Sequence, residues 1–110
     1  MKSVCQLVFE YIDNLEVGYF VTRKNLIKYI EDNFKGSTNN KYKNGFSANS
    51  IDNYRRTFQR NNILANSDGS GTYMKIHNIP NGITYAELNK RDWDNPIVSK
   101  NSGSVFDFTD

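Results

Sequence analysis

Apolar residues recur along the first fifteen positions at Val4, Leu7, Val8, Tyr11, Ile12 and Leu15, one stripe on a helix. The spacing predicts a helix over Ser3–Leu15 with Ser3 as N-cap, and Cys5, at the stripe's edge, reads as a small core residue. Gly18 interrupts the pattern, and Tyr19, Phe20 and Val21 form a short β-prone run. Thr22 then caps a second helix, Arg23 to about Phe34, with Leu26, Ile27, Ile30 and Phe34 on one face and Lys24, Asn25, Lys28, Glu31 and Asp32 on the wet one. Lys35–Phe46 carries no apolar period and reads as a loop. A third helix starts at the N-cap candidate Ser47 and ends at Asn61 and Asn62, with Ala48, Ile51, Tyr54 and Phe58 on one side.

Ile63–Ala65 and Thr72–His77 read as two strands of a hairpin whose tip is Asp68-Gly69. The return strand alternates, with Tyr73, Lys75 and His77 on one face and Met74 and Ile76 on the other. Gly69-Ser70-Gly71 has no helix behind it and so lacks the geometry of a phosphate loop. Thr84 and Glu87 stand at capping-box spacing, which predicts a short helix from Tyr85 to about Arg91. Trp93 follows, either anchoring the tail to the body or contacting a partner. A polar linker, Ser99–Gly103, leads to the acidic segment Val105–Asp110, in which Phe106 and Phe108 alternate; it reads as a frayed end, a docking peptide or an added edge strand.

At 110 residues the chain fits one domain with a modest core. Seven Phe, seven Tyr and one Trp must fill much of that core. The net charge of +2 is unevenly spread. Between Lys35 and Arg60 six cations face one acid, Asp52, whereas Asp92 to the end holds four acids and one lysine. A basic middle points to a polyanionic partner. Cys5 is the only cysteine and His77 the only histidine, which excludes an intramolecular disulfide and leaves no zinc set, so neither a metal nor a cofactor is expected. No paired acids, nucleophile elbow or Walker sequence occurs, and the expectation is a protein that is not an enzyme. No apolar run approaches membrane-spanning length and the first residues lack a signal-peptide core, so a cytoplasmic location, on the nucleoid if DNA is bound, is expected.

The order helix, short strand, helix, loop, helix, hairpin, together with the stretch SANSIDNYRRTFQRNNIL, resembles the winged helix-turn-helix family over Ser3–His77. The expected fold class is therefore α+β, mainly α: a three-helix bundle with a hairpin wing over residues 1–78, a turn and short helix over 79–98, and an acidic tail over 99–110. The link between the second and third helices, about twelve residues, exceeds the three or four of a tight helix-turn-helix. On the third helix Asn49, Asn53, Arg56 and Arg60 form one row opposite Ile51, Tyr54 and Phe58. Arg and Asn are the side chains that read guanine and adenine edges in pairs of hydrogen bonds. The resemblance implies a small transcription regulator that lays this helix in the major groove of double-stranded DNA. Ser47 and Ser50 would meet a phosphate at the helix N-terminus, and Lys75 would contact DNA from the wing. Lys41 and Lys43 in the preceding loop suit phosphate contact. The alternative is a protein-interaction module on the same scaffold, in a replication, transcription or virion assembly. A homodimer or protein partner would then dock through the Trp93 segment or residues 105–110.

Overall fold

The computed structural model describes residues 2–35, 46–67, 71–91 and 95–98. They form a small α+β domain whose elements run α1 (Val4–Asn14), β1 (Phe20–Thr22), α2 (Arg23–Asn33), α3 (Ala48–Arg60), β2 (Leu64–Asn66), β3 (Thr72–Lys75) and α4 (Tyr85–Asn89). Lys41, Lys43, Asp68, Gly69, Trp93 and the tail lie outside the described residues.

Every helix begins on the hydroxyl that local sequence chemistry selects. Ser3 Oγ accepts from the Gln6 N–H at 3.1 Å, Thr22 Oγ1 from Asn25 at 3.0 Å, and Ser47 Oγ from Asn49 at 3.0 Å. At α4 the capping box closes in both directions, with Glu87 N–H donating to Thr84 Oγ1 and Thr84 N–H to Glu87 Oε1. The end of α3 is also specified locally. Asn62 takes the left-handed conformation (φ 60°), its N–H donates to the Gln59 carbonyl, and the Ile63 N–H donates to the Phe58 carbonyl at 2.9 Å. This is the paired closure that helix ends make around a left-handed residue, with Asn in the place glycine usually holds. Because Ile63 is used in that cap, the following strand starts at Leu64, one residue later than the periodicity predicts.

The third strand of the sheet comes from far away in the chain. β1 pairs with β3 (Phe20 opposite Met74, Val21 opposite Tyr73, Thr22 opposite Thr72), and β2 pairs with β3 on the other side. The sheet is antiparallel with order β1-β3-β2. Gly18, at φ 95°, turns the chain out of α1, and its N–H donates to the Lys75 carbonyl at 2.8 Å. Val21, Leu64, Tyr73 and Lys75 point inward against the helices, whereas Phe20, Ala65 and Met74 share the opposite face.

The core joins Leu7, Val8 and Ile12 of α1, Leu26 and Ile30 of α2, Ile51 and Phe58 of α3 and Leu88 of α4 to that inner sheet face. α4 belongs to the same body: buried Asn61 donates through Nδ2 to the Leu88 carbonyl at 3.0 Å, and Thr57 Oγ1 lies 2.8 Å from the Tyr85 hydroxyl. Cys5 is half-buried at the stripe's edge, and burial pushes its thiol above the ordinary range, as suits an unreactive side chain. Among the described residues no helix is long and apolar enough to cross a membrane.

Candidate nucleic-acid interface

The amphipathic character of α3 sorts its side chains into two sets. Ile51, Asp52, Arg55, Thr57 and Phe58 are buried. Asn49, Asn53 and Arg56 are exposed, on the outer face. Arg56 Nη1 donates to Asn53 Oδ1 at 2.9 Å, one turn away, so the two side chains stand together. An amide and a guanidinium side by side offer both hydrogen-bond donors and an acceptor to a base edge. Ser47 and Ser50 are half-buried at the start of the helix, and the Ser47 hydroxyl is already engaged as the N-cap.

Arg60 does not stand free in that row. Its Nη2 donates to Thr57 Oγ1 at 3.1 Å and to Asn89 Oδ1 at 3.0 Å, which ties it to α4. The helix wheel places Arg60 correctly in angle, but α4 packs over the end of α3 and supplies a local acceptor. The outward row is therefore Asn49, Asn53 and Arg56.

Lys75 calls for a correction. As a wing contact it would be exposed, yet its relative exposure is 1%. The alternation along β3 holds, but the face carrying Tyr73 and Lys75 is the inner one. Lys75 Nζ donates to the carbonyls of Ile12 at 2.8 Å, Asp13 at 3.1 Å and Leu15. These carbonyls stand at the C-terminal end of α1, the negative pole of the helix, where the Ile12 oxygen also accepts the Leu15 N–H at 3.2 Å. Burial pushes the Lys75 ammonium below the ordinary lysine range, opposed by the charge of Asp13.

A charged cluster that periodicity alone does not reveal sits behind the outward row. Arg23 Nε lies 2.9 and 3.1 Å from the two carboxylate oxygens of Asp52, and Arg55 Nη2 lies 3.4 Å from Oδ1. The Arg55 guanidinium stacks over the Tyr73 ring at 4.2 Å and donates to Gln59 Oε1. Burial alone would raise the Asp52 carboxyl, but hydrogen bonds and charge from Arg23 and Arg55 outweigh it and hold the group below the usual carboxylate range. The cluster joins the first residue of α2, the middle of α3 and β3, and so helps fix the direction in which the next residue, Asn53, points. The one signal in sequence is the Asp52–Arg55–Gln59 spacing, which allows contacts along one helix.

Beside the N-terminus of α2, Thr22, Arg23, Lys24, Ile27, Lys28, Glu31, Gly71 and Thr72 line an open groove that mixes three cations with one acid. Lys28 pairs with Asp32 at 3.3 Å, while Arg23 is committed to Asp52. Among the described residues no group of three His, Cys, Asp or Glu side chains converges to hold a metal ion. Compared with family models, curated proteins and solved structures, the chain matches none.

Proposed function

We propose that the chain is a winged-helix domain that binds double-stranded DNA, acting as a small transcription regulator with α3 as the groove-reading element. The winged-helix reading is supported by the order of the elements and by the way β1 joins the β2–β3 hairpin in one antiparallel sheet. The observation that carries the DNA reading is the sorting of α3, whose outward face holds Asn49, Asn53 and Arg56 while its apolar side is buried. Such a helix has a face left over for recognition once packing is complete. Lys24, and Lys41 and Lys43 from the segment before α3, would meet phosphates and supply affinity without base preference.

The test is a titration of the full chain against a labelled duplex of random sequence at two salt concentrations. The expected binding weakens steeply with salt, with a log–log slope of about 0.9 for each phosphate neutralised. No measurable affinity at low salt overturns the proposal.

A further inference from the structure

Arg60 belongs to the outward row of α3 by angle and not by position. On a helix wheel of about 100° per residue it falls inside the arc between Asn53 and Arg56. Yet Arg60 is half-buried, whereas Asn53 and Arg56 are exposed. The difference lies in one acceptor on α4. Asn89 Oδ1 accepts from Arg60 Nη2 at 3.0 Å and from Thr57 Oγ1 at 3.2 Å, which draws the guanidinium sideways out of the row. The drawn-in position is not fully satisfied. Arg60 Nε is shielded from solvent and meets no acceptor among the described residues. An unmet buried donor carries a desolvation cost that a side chain turned to solvent escapes.

The place of α4 rests on other contacts than Asn89. Leu88 is fully buried, and its carbonyl accepts from Asn61 Nδ2 at 3.0 Å. Tyr85 meets Tyr54 edge-on at 5.6 Å, and the Ile97 N–H holds Asn61 Oδ1 at 2.9 Å. Asn89 itself is exposed, at the last position of the helix. Its side chain is therefore the part of α4 that acts on Arg60 and the part that can change while α4 stays.

We infer that Asn89 is a positioning residue that withholds Arg60 from nucleic acid. With the Asn89 acceptor removed, Arg60 turns outward into line with Asn53 and Arg56 and takes a phosphate oxygen. A phosphate is the fitting partner because Arg60 closes α3, about 6 Å beyond Arg56 along the axis, where a straight helix leaves the curved groove and meets the backbone. The inference rests on the proposed DNA reading and adds to it a control of the α3 face by α4.

The test compares the full chain with Asn89→Ala, Arg60→Ala and the double variant, each titrated against a labelled duplex of random sequence across a salt series. Asn89→Ala is expected to bind several-fold tighter at low salt, with a log–log slope steeper by about 0.9, one phosphate. Arg60→Ala leaves the slope unchanged, and the double variant loses the gain. Nitrogen relaxation of the Arg60 Nε–H, without duplex, reads the release directly. The side chain is expected to be rigid in the unaltered chain and in Asn89→Asp, which keeps the acceptor oxygen. In Asn89→Ala its order parameter falls into the flexible range, below about 0.6. An unchanged slope in Asn89→Ala, a gain that survives in the double variant, or an Arg60 still rigid in Asn89→Ala overturns the inference while the DNA reading stands. No affinity for the duplex at low salt in any of the four chains overturns both.

Discussion

Lys75 Nζ lies 2.8 Å from the Ile12 carbonyl oxygen, 63 residues earlier in the chain, and the side chain that makes this bond is 1% exposed. A lysine at the end of a short strand thus closes the end of α1 and ties that helix to the sheet. Its charge is spent inside the fold. Lys75→Met keeps the volume and removes the three hydrogen bonds to the carbonyls of Ile12, Asp13 and Leu15. The expected loss is about 2–4 kcal/mol in urea unfolding. At temperatures where the variant stays folded, the salt dependence of duplex binding is expected to match that of the unaltered chain. A slope reduced by about one phosphate contact would restore Lys75 to the interface.

Asp52 sits between Arg23 and Arg55, and its removal leaves Arg55 as a buried cation with no carboxylate. Asp52→Asn is expected to cost about 1–3 kcal/mol near neutral pH, less than a fully buried pair because the Arg23 side chain is 45% exposed. The pH dependence follows from the lowered carboxyl. A group depressed in the folded state contributes stability that is complete above its unfolded value, about 3.9, and lost as pH falls through the lower folded one. The gap between the unaltered chain and Asp52→Asn is therefore constant from neutral pH to about pH 5 and narrows below about pH 4. Unfolding curves collected across that range check it, and a gap that widens on acidification contradicts the assignment.

Arg56 and Arg60 stand one turn apart yet differ in what they hold. Arg56 donates to Asn53 on the outer face, whereas Arg60 bridges Thr57 and Asn89. Under the proposed function, Arg56→Ala weakens duplex binding by about 1–3 kcal/mol and relaxes base preference. Its effect on stability stays within about 0.5 kcal/mol. Arg60→Ala is expected to destabilise the fold by about 1 kcal/mol through the lost α3–α4 contacts. Paired measurements of melting and binding on both variants separate the two roles.

Asn62 holds the left-handed position that ends α3, and its side chain also reaches the Val98 carbonyl. Asn62→Ala loses both the conformational tolerance and the bond, for an expected cost of about 1–2 kcal/mol. Asn62→Gly regains the backbone freedom and loses only the bond, so it is expected to fall within about 1 kcal/mol of the unaltered chain. Thermal unfolding of the two variants should rank Gly above Ala. The reverse order would mean that the left-handed backbone at position 62 does not limit stability.

The helix starts were legible because capping is a short-range matter: Ser3, Thr22, Ser47 and Thr84 each serve an N–H within three residues. The burial of Ile51 and Phe58 and the exposure of Asn49, Asn53 and Arg56 follow from helical periodicity in the same way. The candidate site was legible only in part. The Arg23–Asp52 contact joins residues 29 apart, and the Arg60–Asn89 contact joins residues equally far apart, so no window of a few turns contains both partners.

The sequence by itself determined where helices begin and end, which residues of each helix are apolar, and the alternation of β3, since all three depend on backbone geometry and near neighbours. Only the tertiary structure decided which face of β3 turns inward. Alternation gives two faces and no direction; β3 pairs with β1, and the carbonyls at the end of α1 accept from Lys75 and hold it inside. The same packing drew Arg60 to α4, so charge that local sequence placed at the surface was assigned by contacts between distant segments.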